Sequence, residues 1–429
     1  MTAFYETNIS TAWLRKRLKH LGKIYPGLAG KAGEDFSREQ LEGFKPYVPF
    51  VSVANFAEVP KKYHYVRVRE SEGQNKVKSG DLLFLMSSET LEDIGKSSIF
   101  EWDEETPYLN SFCKGFRADS SRVLPKFLNY SLMSTGYREY FANVARGFTR
   151  INLKQEYILN AQVSVPPLPE QRAIATLLDR KCATIDEAVR IKEEQIKLLR
   201  ERRQILIQQA VTRGLNPDAP MKDSGIDWIG EIPAHWEAVP LKRLFQERNE
   251  RTSNGTETLL SLRMVEGLVP HDEVSGKAIS DAELVGYKKV YPGQLVMNRM
   301  RASIGLFGIV DQLGLVSPDY AIFDMRDDLF GPFYLNLFKI EPMGTRFRVS
   351  SRGLGTGSSG FMRLYTDDFG AITVPAPTRE EQQEIVGYID GVTEKINGTI
   401  SIKKDQIATL KEYKTSLINS AVTGKIKVI

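Results

Sequence analysis

The side chains able to do covalent chemistry are few and scattered in this sequence. His20, His64, His235 and His271 show neither an HExxH helix nor paired metal-ligand spacing. Each reads as a surface or packing residue. Cys113 and Cys182, the two cysteines, fit neither a disulfide scaffold nor a zinc site. Gly95-Lys96-Ser97-Ser98 has the ending of a phosphate-binding loop, but Thr90 stands where that loop needs its first glycine. The run 353–360 (GLGTGSSG) is either a phosphate cradle of backbone N–H groups or a flexible loop. It does not open a helix after a strand, as a dinucleotide fingerprint requires. An Asn-Pro-Pro-aromatic or Asp-Pro-Pro-aromatic tetrapeptide for amino methylation does not occur, and no paired carboxylates with a lysine suggest a nuclease.

What these residues offer instead is binding. Arginines gather with aromatics and glycines in two regions. The first holds Arg138, Tyr140, Phe141, Arg146, Gly147, Phe148, Arg150 and Lys154. The second holds Arg299, Arg301, Arg346, Phe347, Arg348, Arg352, Phe361 and Arg363. Arginine on glycine-bearing segments holds phosphates and reads guanine edges bidentately. Arg146, Arg150, Lys154, Arg299, Arg301, Arg346, Arg348, Arg352 and Arg363 are therefore the candidate DNA contacts, with an ordinary surface charge the alternative for each. Arg150 and Arg363 rank first, because Gly147-Phe148-Thr149-Arg150 is matched by Gly360-Phe361-Met362-Arg363. The run Arg15-Lys16-Arg17-Leu18-Lys19 reads as a backbone contact or a solvated helix face.

The elements that must carry these residues come in duplicate. Glu170-Gln171 and Glu381-Gln382 lie 211 positions apart, and from there the match runs without a gap. Ala210-Val211-Thr212 meets Ala421-Val422-Thr423, and Ile191 meets Ile402. Prolines precede each copy (Pro166, Pro167, Pro169; Pro375, Pro377) and Gly214 or Gly424 follows it, which predicts one long helix per copy. Ile174, Leu178, Ile185, Ile196, Leu199 and Leu206 step along the first with helical spacing. Ile385, Ile389, Ile396, Ile407, Leu410 and Leu417 do so along the second. Such narrow seams suit two helices that pair with each other or dock a partner. About 42 residues make a rod of roughly 60 Å. Gly387, Gly391 and Gly398 weaken the second copy by up to about 1 kcal/mol each.

Upstream, Val77–Phe84 (VKSGDLLF) corresponds to Val290–Met297 (VYPGQLVM), and Lys16-Arg17-Leu18 to Lys242-Arg243-Leu244. The chain divides into residues 1–165, a first domain; 166–215, the first long helix; 216–373, a linker and second domain; and 374–429, the second long helix. Tyr47–Val53, Asp81–Met86 and Gln294–Met297 read as strands, 125–140 and 332–347 as helices, and 216–236 as a loop. The fold class is mixed α/β. The 429 residues carry 58 basic and 54 acidic side chains, a net charge of +4 that demands no polyanion. No apolar run is long enough to span a membrane, and residues 1–20 have no secretory pattern, so a cytoplasmic protein is expected.

The two copies of proline hinge, Glu-Gln and long helix (PLPEQRAIATLLD; PTREEQQEIVGYID) resemble the specificity subunits of type I restriction-modification systems. The endings AVTRGL and AVTGKI and the stretch 228–236 (WIGEIPAHW) support the resemblance, which covers the whole chain. It implies two target-recognition domains separated by two long antiparallel helices with pseudo-two-fold symmetry. It further implies a bipartite, asymmetric target in double-stranded DNA, with the rod setting the unread spacer. Two modification (methyltransferase) subunits and restriction (translocase and endonuclease) subunits would dock on it. S-adenosylmethionine, ATP and Mg would belong to those partners, and this chain would be a non-catalytic reader with no cofactor or metal and no membrane role. A coiled-coil adaptor that reads no DNA, or a freestanding DNA-modifying enzyme, are the rival readings.

Overall fold

The computed structural model describes residues 13–104, 106–275, 279–354 and 361–428. Two compact units divide the chain, one of residues 1–192 and 404–429, the other of residues 193–403. Both boundaries fall inside long helices, Leu168–Arg213 and Arg379–Val422. Each unit therefore contains the start of one helix and the end of the other.

The core of the first unit is a four-stranded antiparallel sheet. Its strands are ordered Gly22–Pro26, Cys113–Ala118, Asp81–Leu85 and Ser97–Phe100. The second unit builds the same order from Phe245–Arg248, Tyr320–Met325, Leu295–Asn298 and Phe307–Ile309. In both, a strand from the beginning of the domain pairs with the strand that leads into the long helix. Leu14–Arg17 pairs with Gln162–Val165, and Glu237–Pro240 with Thr373–Ala376. The Lys78–Asp81 and Tyr291–Gln294 turns are equivalent as well. The side chain of Asp81 accepts the Lys78 N–H at 2.9 Å, and that of Gln294 accepts the Tyr291 N–H at 2.8 Å. Gly80 and Gly293 supply the left-handed φ of +84° and +90° between them.

Proline and serine divide several runs that read as single elements. Tyr47–Val53 is not one strand. Phe44–Val48 is a strand, Pro49 caps with extended backbone, and Phe50–Asn55 is helical. The run 125–140 is two helices, Pro125–Met133 and Thr135–Val144, parted by extended Ser134. Its counterpart is Gly331–Phe338 and Glu341–Ser350. Residues 221–233 of the supposed loop form a hairpin, Met221–Ile226 with Gly230–Pro233. Arg15–Arg17 lie on an exposed strand rather than a helix face.

The long helices pair antiparallel within each unit. In the first, Lys414 bonds Asp186 at 2.7 Å and Lys192 bonds Gln406 at 2.7 Å. In the second, Lys403 bonds Gln195 at 2.7 Å and Arg203 bonds Asn397 at 2.6 Å. Along them, Ile174, Leu178, Ile185, Ile196, Ile385, Ile389, Ile396, Ile407 and Leu417 are buried, and Leu199, Leu206 and Leu410 half-buried. Ile191 and Ile402 match in sequence yet are 44% and 59% exposed. Gly214 and Gly424 end the helices at φ of +72° and +73°. The helix Arg379–Val422 is unbroken through its three glycines, and a Cβ at Gly391 would meet nothing within 4 Å. Gly391→Ala should therefore stabilise the chain by about 0.5–1 kcal/mol, read as a higher urea midpoint. A lower midpoint would show a close contact on that face.

Candidate nucleic-acid interface

The glutamine of each Glu-Gln pair is a buried clamp at the foot of its helix. Gln171 accepts the Leu124 N–H at 2.7 Å and donates to the Pro166 carbonyl at 2.8 Å and the Arg122 carbonyl at 3.3 Å. Gln382 accepts the Phe330 N–H at 2.6 Å and donates to the Pro377 carbonyl at 2.8 Å. Leu124 and Phe330 each cap the helix that follows, so one amide ties the proline hinge to the domain's own helix. Their full burial explains why glutamine stands there twice. Glu381 is the more exposed neighbour. Burial pushes its carboxyl up, but hydrogen bonds from His235 at 2.7 Å and Trp236 at 3.2 Å hold it below the usual range.

A polar cluster at the sheet edge is repeated with its charges exchanged. In the first unit Arg117 donates twice to buried Asp81, at 2.8 and 2.6 Å, and Tyr25 donates to it at 2.6 Å. Burial, then the Asp81 charge, pushes the Tyr25 hydroxyl far up. In the second unit Arg248 and Gln294 both donate to Asp324, Gln294 at 2.7 Å. The three positions match strand for strand, as Asp81 opposes Arg117 and Gln294 lies where it would oppose Asp324.

Beside the first cluster opens a cleft of about 910 Å³. It is lined by Lys19, His20, Lys23, Lys76, Lys78, Arg117 and Arg122, with Asp119 as its carboxylate. Asp119 is itself bound by Ser121 at 2.6 Å and Arg122 at 3.0 Å. The cleft is thus a basic surface facing water. At the positions matching Lys23, Lys78 and Arg117 the second unit has Gln246, Tyr291 and Asp324, so the charge pattern is not repeated. Lys19 was legible in the sequence as part of a basic run. Lys23, Lys76 and Lys78 were not, because their neighbours in the cleft come from distant segments.

The arginines singled out by sequence divide by environment. Arg146, Arg150, Lys154, Arg301, Arg346 and Arg348 are exposed. The Arg150 guanidinium lies 4.3 Å from the centroid of the Phe112 ring. Arg346 lines a smaller cleft with Asp227 and Trp228. Arg299 is tied inward to Glu247 at 2.6 Å, Arg352 pairs with Asp368, and Arg363 lies 3.4 Å from Asp319. Arg138 is a packing residue, donating to the Glu92 and Ile94 carbonyls at 2.9 and 2.7 Å, with burial lowering its pKa to about 10. Arg150 and Arg363 are not equivalents. Arg146 pairs with Asn152 as Arg352 pairs with Arg363, so Arg146 matches Arg352. Of the run 353–360, residues 355–360 lie outside the described residues; so does Gly360 of the paired tetrapeptide. Lys96 and Ser97 are structural, bound to Asp93 at 2.5 Å and Asn129 at 2.8 Å.

With that architecture in view, residues 12–198 match the family model of the type I restriction modification DNA specificity domain. The chain is similar to type I restriction-modification specificity subunits. A putative type I restriction enzyme MjaX specificity subunit of Methanocaldococcus jannaschii is 24% identical, over 81% of this chain and 79% of its own length. The EcoKI specificity subunit of Escherichia coli K12 is 23% identical over 86% of this chain and 82% of its own length. Among solved structures, a chain from work on complex assembly and conformational transition of the type I R-M system superimposes with a TM-score of 0.68 at 15% identity. It covers 98% of this chain and all of that one. The HsdS subunit of Thermoanaerobacter tengcongensis gives 0.53 at 16% identity, covering 97% and 98%. These likenesses confirm the mixed α/β fold with a long helix between two sheet-rich domains. They favour neither a DNA-blind adaptor nor a freestanding modifying enzyme. No helix among the described residues is long and apolar enough to cross a membrane.

Proposed function

We propose that this chain gives a type I restriction-modification complex its choice of DNA sequence without doing chemistry itself. Each domain reads one half of a bipartite, asymmetric target, and the paired helices set the unread spacer, since half-site spacing follows the distance between reading modules. The observation that carries this reading is the duplication: two sheets of the same strand order, in two domains, each with its capped short helix tied by a buried glutamine to the foot of a long helix. A duplicated reader whose two surfaces differ in charge suits a target whose halves differ. Lysines and arginines hold the backbone, a salt-dependent and sequence-independent contribution. Exposed side chains such as Arg301 and Arg348 would read base edges.

Partner docking falls to the helices. Ile191, Leu198 and Ile205 step by seven along the first and are each about half exposed, at 44%, 53% and 55%. Modification subunits that carry S-adenosylmethionine would cover them. Restriction subunits would bring ATP and Mg. Adenine must leave the stack to be methylated, so the partner extrudes it while this chain holds the duplex. The test is selection of random duplexes by the chain co-purified with its modification subunits. Enrichment of two short motifs at one fixed spacing supports the reading. Enrichment of a single uninterrupted motif, or of none, contradicts it.

A further inference from the structure

Phe148 is completely exposed, 102% of its reference area, at the tip of a tight turn. Everything around it is tied down. Arg146 and Asn152 exchange backbone hydrogen bonds of 3.1 and 2.9 Å, closing a loop of residues 147–151. Gly147 makes that loop possible: a Cβ there would stand 2.0 Å from the Arg150 carbonyl oxygen. The Asn152 amide donates to that same carbonyl at 3.1 Å, and the Arg150 guanidinium lies over Phe112. Arg146 folds back onto the Asn143 and Ala145 carbonyls, each at 2.7 Å. The loop is thus held in one shape, and the ring it presents gains nothing from the fold.

A single exposed apolar side chain is ordinary. This one stands on a braced tip, and from Arg146 to Lys154 (RGFTRINLK) the chain has three cations and no carboxylate. That surround suits a polyanion and not an apolar protein pocket. Resting on the DNA-reading proposal above, we infer that Phe148 is an aromatic wedge that enters the base stack of the half-site read by the first domain. Such wedges unstack a step and bend the duplex, which eases extrusion of a neighbouring base. Arg146 and Arg150 then lie where the flanking phosphates pass.

The experiment uses the full chain with its modification subunits and the duplex they select. 2-Aminopurine replaces single bases through both half-sites, and its fluorescence reports unstacking. The wild-type complex should show a rise at one step of the first half-site besides the methylated adenine. Phe148→Ala should abolish that rise and weaken binding about tenfold, in the range of one lost base–aromatic stack, while Phe148→Trp restores both. Full fluorescence and affinity in Phe148→Ala would overturn the wedge. So would a Phe148→Ala chain that no longer binds its modification subunits, because the ring would then belong to a protein interface. A wild-type complex with no preferred duplex would instead overturn the DNA-reading proposal, and the wedge with it.

Discussion

Gln382→Leu should destabilise the second unit by about 3 kcal/mol, whereas Gln383→Leu, one residue further on, should change stability by less than about 0.5 kcal/mol. The two side chains differ in surroundings and not in type. Gln383 is exposed. Gln382 is 1% exposed and bonds the Phe330 N–H and the Pro377 carbonyl. Leucine would leave both buried partners unpaired, at about 1–3 kcal/mol each. Burying the leucine returns part of that sum. Gln171→Leu should act likewise on the first unit, where three carbonyl and N–H groups lose their partner. Urea unfolding followed by tryptophan fluorescence separates the cases, because Trp13 and Trp102 report on the first unit and Trp228 and Trp236 on the second. Equal midpoints for Gln382→Leu and Gln383→Leu would mean that the clamp is ornamental.

Replacing Lys19, Lys23, Lys76 and Lys78 together with glutamine should flatten the salt dependence of DNA binding. Each phosphate contact contributes about 0.9 to the slope of log K against log salt, so the slope should become shallower by about 3 to 4. All four side chains are exposed and line the basic cleft. Their loss leaves the buried Asp81–Arg117 pair and the sheet beneath untouched. Affinity should fall by similar factors for all sequences, since backbone contacts position a duplex without reading it. Fluorescence anisotropy of the complex on its selected duplex, from about 50 to 200 mM salt, measures the slope. An unchanged slope would move the backbone contact away from this cleft.

The long helices and the duplication were legible because they are written in local periodicity. Apolar residues at helical spacing, prolines before and glycine after leave little else for 168–213 and 379–422 to be. The Glu-Gln pair was legible as a repeated mark but not as a clamp, since the partners of Gln171, at Leu124 and Pro166, are set by tertiary packing. Breaks at Pro49 and Ser134 were missed for a related reason. An apolar run reads as continuous until packing decides which side of a proline or serine each half joins. The match of Arg150 with Arg363 rested on the similar letters GFTR and GFMR. Strand pairing overrides it, because more residues separate the paired Arg352 and Arg363 than separate Arg146 and Asn152. The basic cleft was illegible for a simpler reason: Lys19, Lys78 and Arg122 are about fifty positions apart in sequence and neighbours only once the sheet has formed.

The central claim is that the two domains read different halves of one target, and mapping methylated adenines tests it most directly. The chain would be expressed with its modification subunits, and methylated positions read across the host genome. The wild type should mark one bipartite motif. Gly147→Val, which drives a side chain into the Arg150 carbonyl, should relax one half only. Arg301→Ala with Arg348→Ala should relax only the other. Loss of both halves together from either variant, or a motif without an unread spacer, would contradict two independent readers.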